Sequence, residues 1–351
     1  MTIFYVLLAI LLFGVLIAVH EFGHFITAKL CGVMVEEFAI GMGPAIFKKQ
    51  KGETLYSLRC IPIGGYCAML GEDEASEDPR SFTSQKKWKR AIILVAGSVM
   101  NFLLGFILVL FIYSGASGFY APIITDFMEG CPYEAEEAFQ VGDRIWSIDG
   151  KRIYQNGDIS EFLARSESHD IVIKREGKKL TLEDFTLVPI EYEGQEKKMY
   201  GFYFGVEEAT LKTTLVHSWN ATMEFGRWVW MGLEQLVGGQ VSVEDMAGPV
   251  GIVDLMAETG SNAASTADAL MDILYLGAFI AVNLAIMNML PIPALDGGRV
   301  FFLVVTWLIE SLTRKKLNPK YEGYVHAAGM VLLLGLMAFI MFNDIVRIVM
   351  K

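Results

Sequence analysis

Residues 2–24 read TIFYVLLAILLFGVLIAVHEFGH, an uncharged run over 2–19 followed at once by His20, Glu21 and His24. A helix needs roughly 20 apolar residues to cross a hydrocarbon core, and this stretch meets that length. It has no basic residues ahead of the apolar run and no small-residue cleavage site, so it reads as a retained helix rather than a secretory signal. Ionisable side chains at membrane depth cost several kcal/mol unless they face protein, a water-filled cavity or one another. Helical positions four apart share a face, so the imidazoles of His20 and His24 can reach one metal ion. Glu21 points slightly aside, where it can take a proton from water without binding the metal. HExxH in this setting is the pattern of a zinc hydrolase.

The same composition continues along the chain. Its 351 residues are 53% hydrophobic and its mean hydropathy is +0.42, too apolar for a soluble protein of this size. Uncharged runs recur at 91–115, 273–290 and 327–342, which makes four candidate membrane spans. Lys29, Lys48, Lys49, Lys51, Arg59, Arg80, Lys86, Lys87, Lys89 and Arg90 lie between the first two runs. Arg299, Arg314, Lys315, Lys316 and Lys320 follow the third. Both basic segments are expected on the cytoplasmic side, and the long segment between the second and third runs outside. A net charge of −11 excludes a binder of nucleic-acid backbones, which carries a basic surplus. Cys31, Cys60, Cys67 and Cys131 have no CxxC spacing and would be divided between the two sides, so no structural disulfide is expected.

The expected fold is therefore a polytopic α-helical membrane protein with about four transmembrane helices. The first spans 1–30 and is followed by a cytoplasmic, membrane-associated β-rich loop over 31–90, whose turn residues are Gly41, Gly43, Pro44, Gly52, Pro62, Gly64 and Gly65. A second transmembrane helix spans 91–116, with Trp88 among basic residues as its interfacial anchor. An extracytoplasmic α/β domain is expected over 117–205, and a connector with an amphipathic helix over 206–270, where His217 and Trp219 read as interfacial side chains. The third transmembrane helix, 271–298, ends on the Leu-Asp-Gly string; a cytoplasmic loop over 299–324 and a fourth helix over 325–351 complete the chain. The string AGPVGI at 247–252 carries turn chemistry alone.

Catalytic zinc takes three protein ligands and leaves one position open. His169 and His217 fall on the far side of the expected topology, which leaves His326 at the start of the fourth span and Asp296 beyond the end of the third. Asn101 and Asn288 are polar residues in apolar helices, able to bond substrate backbone or a developing oxyanion, or else to bond a neighbouring helix. Gly64 and Gly65 would allow an unwound substrate strand to approach the backbone closely.

Taken together, HEFGH in a first span, a Gly-rich loop, AGSVMN in a second, QVGDRIWSIDGKRI at 140–153 in an external insert and NMLPIPALDGG after the third span resemble the site-2 protease family, in its regulator-of-sigma-E protease branch. The 140–153 string is similar to the Gly-Asp, Ile and Asp-Gly pattern of PDZ domains. The resemblance implies one zinc per chain, ligated by His20, His24 and Asp296 with Glu21 as catalytic base, and a role for Asn288 and Asn283 in substrate handling. It also implies single-span membrane substrates first trimmed by a site-1-type protease, and a bacterial inner or plasma membrane with the active site toward the cytoplasm. Some members carry two PDZ modules, whereas this chain has room for one. A metal transporter, with ligands strung along a pore, and a silent binder of membrane segments are the rival classes.

Overall fold

The computed structural model describes residues 2–72, 76–135, 138–242, 246–313 and 320–350. In chain order its first elements are α1 (Thr2–Cys31), β1 (Val35–Lys51), β2 (Thr54–Met69), α2 (Lys87–Tyr113), β3 (Gly118–Phe127), β4 (Arg144–Ile148), β5 (Lys151–Arg152) and α3 (Gly157–Leu163). They are followed by β6 (Ser168–Arg175), β7 (Lys178–Thr186), β8 (Phe202–Glu208), α4 (Leu211–Val237), α5 (Pro249–Asn262), α6 (Thr266–Asn288), α7 (Asp296–Thr313) and α8 (Lys320–Met350). The chain forms two compact units, residues 1–108 with 225–351 and residues 109–224.

Among the described residues, four helices contain stretches long and apolar enough to cross a membrane, Ile3–Cys31, Lys87–Tyr113, Thr266–Met287 and Gly323–Met350. At about 1.5 Å per residue, a 30-residue α1 outreaches the ~30 Å hydrocarbon core. One stripe of α1 (Tyr5, Ala9, Leu16) packs on Met256 and Ala257 of α5 and on Ala269, Ile273 and Ile280 of α6. Its other faces carry exposed Ile3, Leu7 and Leu11, as expected of a helix bathed in lipid rather than water.

In the segment expected to be strand-rich, β1 and β2 fold into a small sheet. Residues 37–40 pair on both sides, Glu37 with Leu55 and Ala68, and Ile40 with Leu58 and Gly65. Residues 65–69 therefore form one edge of that sheet and residues 45–51 the other. Val33, Val35, Cys67 and Met69 seat it on Ala28 of α1 and on Ile93 and Leu94 of α2.

Two expectations are corrected. The stretch 299–324 is no simple loop, because α7 occupies it as far as Thr313, held by Lys87 Nζ 2.6 Å from Glu310 Oε2 and by an Arg299–Glu72 ion pair. Arg314, Lys315 and Lys316, and the side chain of Lys320, lie outside the described residues. AGPVGI, read as turn chemistry, opens α5, with Pro249 in the first turn where its missing N–H costs nothing. The cap comes from α8, since the N–H groups of Gly248 and Gly251 donate to Asp344 Oδ1 (3.3 Å) and Oδ2 (2.8 Å).

The second unit contains a six-stranded sheet in the order β7-β6-β4-β3-β8, with β5 added to β4. Phe139, Ile145, Ile148, Phe162, Ile171, Ile173 and Phe202 form its core. Buried Asp143 pairs with Arg175 at 2.8 Å. His169, at 2.8 Å from both Asp149 Oδ2 and the Ser166 carbonyl, fastens the Asp-Gly turn. His217, expected at an interface, is instead buried, stacked on Phe119 with Nε2 2.9 Å from Glu207 Oε2. Burial opposes ionisation of Glu207, but its hydrogen bonds from His217 and Arg144 outweigh this and hold the carboxyl below its ordinary range. All four cysteines are free thiols.

Candidate metal centre

His20 and His24 face α2 from one side of α1, and α2 accommodates them by lacking a side chain at the crossing. A Cβ on Gly97 would lie 2.4 Å from His24 Nε2 and 2.7 Å from His20 Cε1, far inside van der Waals contact. A turn earlier along α2, the Ile93 carbonyl stands 2.8 Å from His24 Nδ1. That bond places the proton on Nδ1 and leaves Nε2 as the free ligand atom.

Asp296 is delivered to the same point by the first turn of α7, not by the end of the third span. The segment between α6 and α7 doubles back so tightly that a Cβ on Gly297 would lie 2.2 Å from the Met289 carbonyl oxygen, and one on Gly298 2.2 Å from that of Ile292. Asp296 Oδ2 ends 3.1 Å from His20 Nε2 and 3.2 Å from His24 Nε2, and the two Nε2 atoms are 3.2 Å apart. The near-equilateral triangle fits a tetrahedral ion: with bonds of about 2.05 Å, zinc ligand atoms stand about 3.3 Å from one another. Asp296 Oδ2 is buried without a hydrogen-bond partner, and electron-rich atoms meeting this way repel unless a cation lies among them. Among the described residues, these three are the one group of His, Cys, Asp or Glu that could hold a metal ion.

Beside the triangle lies a cavity of about 300 Å³ lined by His20, Glu21 and Asp296 together with Gly64, Gly65, Asn101 and Asn288. Glu21 reaches the backbone of Cys67 in the edge strand and stays outside the donor triangle. Space at Gly65 is tight, since a Cβ would sit 3.0 Å from the Ala39 carbonyl and 3.2 Å from Glu21 Cγ. Asn288, the last residue of α6, brings Nδ2 to 3.4 Å from His20 Nε2. Asn101 is fully buried with Nδ2 3.4 Å from His20 Nδ1, while its Oδ1 has no partner. Turning the amide over resolves both facts, because Oδ1 then accepts the Nδ1 proton and leaves Nε2 free. Asn283 does not line the cavity. His326, considered above as a third ligand, is not in the triangle; its Nδ1 accepts the backbone N–H of Ala294 at 3.0 Å. His169 and His217 belong to the second unit, each bonded to a carboxylate there.

A profile of peptidase family M50 matches residues 8–336. The chain belongs to this family, that of the site-2 proteases. Proteins named as zinc metalloproteases in Clostridium perfringens and Clostridium acetobutylicum are 36% and 37% identical to it, covering 97% and 99% of this chain and 98% of each relative. The regulator of sigma-W protease RasP of Bacillus subtilis is 26% identical, with 97% of each chain covered. That alignment extends over 441 positions against the 351 residues of this chain, so RasP carries inserted segments that this protein lacks. The M50 protein is a zinc metalloprotease of the site-2 type and a multi-pass membrane protein.

Sequence alone pointed to HExxH and Asp296, but not to Gly97, whose signal is a glycine on the α2 face that meets the imidazoles. Gly97→Ala in this M50 protease should lower zinc content to below about a tenth of wild type while helix content is unchanged. Metal analysis with circular dichroism checks this, and full zinc occupancy would contradict it.

Proposed function

We propose that this protease cuts single-span membrane proteins within or beside the bilayer, using one zinc ion held by His20, His24 and Asp296 with Glu21 as general base. The observation that carries the reading is the three-donor triangle set among apolar helices, with the Glu21 carboxyl in the adjoining cavity but outside the triangle. Zinc bound there supplies Lewis acidity toward water and the scissile carbonyl. Glu21 accepts the proton of the attacking water and returns it to the leaving amine nitrogen. Asn288 is aimed at the space beside His20 and donates to the substrate carbonyl oxygen as charge develops on it. Asn101 holds the His20 ring while lining the same cavity.

A helical substrate hides its peptide bonds within its own hydrogen-bonding ladder and has to unwind before it is cut. The edge formed by residues 65–69, which begins at the cavity with Gly64 and Gly65, receives the unwound segment by strand addition. A transporter would use ligands strung along a path; the compact triangle, with a carboxyl left outside it, supports a hydrolase instead.

The sheet unit acts, on this reading, as a PDZ-like filter that admits substrates already trimmed by an upstream site-1-type protease. Basic residues between α1 and α2 support a metal end of α1 that faces the cytoplasm and a filter outside a bacterial inner or plasma membrane. The proposed substrate classes are anti-sigma factors and signal-peptide remnants; the Bacillus subtilis relative is named a regulator of sigma-W protease, which supports a regulatory role.

Purified wild type and Glu21→Gln, given a tagged and pre-trimmed single-span substrate, separate the roles of base and ligand. The variant should keep about one zinc per chain and cut about 10²- to 10⁴-fold more slowly; undiminished cutting would refute the base assignment. Deleting residues 118–205 should admit untrimmed substrates, and unchanged selectivity would count against the filter.

A further inference from the structure

The segment that delivers Asp296 is held from outside itself. It runs from Met289 to Leu295 between α6 and α7, contains Pro291 and Pro293, and turns through Ala294 at φ 77°, a left-handed conformation that residues with a Cβ rarely adopt. Its internal bonds, Ile292 N–H to the Leu290 carbonyl and Leu295 N–H to the Ile292 carbonyl, do not involve the Ala294 amide. That amide donates to His326 Nδ1 on α8 at 3.0 Å, two residues before Asp296. Three residues further along α8, on the same helical face, Gly329 lets Pro293 lie directly against the helix. A Cβ there would stand 2.4 Å from Pro293 Cβ and 2.9 Å from its carbonyl oxygen. The His326 ring also meets Phe302 of α7 edge-on, with centroids 5.2 Å apart. The fourth span thus touches the residues on both sides of Asp296.

We infer that His326 is a positioning residue for the metal site: by accepting the Ala294 N–H it keeps the backbone left-handed there and aims the Asp296 carboxylate at the two imidazoles. The inference rests on the reading of Asp296 as a ligand. An acceptor at the Nδ1 position is what the role demands. Asparagine, whose Oδ1 falls near the place of Nδ1, can supply it, and leucine cannot.

The test measures zinc affinity of the full-length protein in detergent by competition with a chromophoric chelator, for wild type, His326→Leu, His326→Asn, Gly329→Ala and Asp296→Ala. His326→Leu and Gly329→Ala, which disturb the segment from two separate points on α8, should each weaken zinc binding about tenfold. His326→Asn should stay within about threefold of wild type, and thermal unfolding of the zinc-free proteins should distinguish Leu from Asn little. Wild-type affinity in His326→Leu, or equal loss in the Leu and Asn variants, overturns the inference. If His326→Leu does not fold, an unaltered affinity in Gly329→Ala or a loss in His326→Asn overturns it equally. Undiminished affinity in Asp296→Ala would instead refute the ligand assignment on which it rests, and loss there without loss in the α8 variants sinks only the role of His326.

Discussion

Two imidazoles and a carboxylate brought together among apolar helices, with their donor atoms 3.1–3.2 Å apart, repel one another unless a cation lies among them. Every nearby feature of the first unit either tolerates that meeting or depends on it. Gly97 is bare because the rings occupy the space a methyl would take. Ile93 and Asn101 stand on the same helix at the Nδ1 positions of His24 and His20, so one helix sets the orientation of both rings. The Met289–Leu295 segment folds back over Gly297 and Gly298 to bring in the carboxylate. A cation at the centre removes the repulsion, so metal binding and the local packing of α1, α2 and α7 are coupled.

Around that centre the labour is divided among elements far apart in the chain. α1 brings the histidines and Glu21, α6 brings Asn288, and α7 brings Asp296. α8 brings no donor atom to the triangle, yet it holds the Met289–Leu295 segment near one end through His326 and caps α5 near the other through Asp344. α5 in turn packs on α1 through Met256 and Ala257. The fourth span therefore braces the histidine-bearing helix and the aspartate-bearing segment without joining them in the site.

Much of this was legible in the sequence, for physical reasons particular to membranes. Lipid offers no partner to a charged side chain, so the spanning helices announce themselves as uncharged runs, and HEFGH stands out because it interrupts one. Asp296 was legible as a candidate because the end of the third run fixed its depth; spacing alone left His326 beside it, and the family resemblance favoured Asp296, which is the residue that meets the two imidazoles. Helix α7 was missed because its uncharged run, 300–309, is too short to cross a membrane and follows two glycines. The start of α5 was missed because Gly-Pro-Val-Gly reads locally as a turn, and the carboxylate that caps it lies 96 residues away from Gly248. The fit of Gly97 against the imidazoles, the Asn101–His20 contact and the Ala294–His326 bond are tertiary relations that no local pattern encodes.

The claim on which the account turns is that two imidazoles and one carboxylate hold the ion. Zinc-edge X-ray absorption on the full-length protein in detergent measures this directly. Light-atom ligands at about 2.0–2.2 Å, with outer-shell scattering from two imidazoles and no sulfur, are the expected result. A sulfur at about 2.3 Å, or a third imidazole in place of the carboxylate, would contradict it.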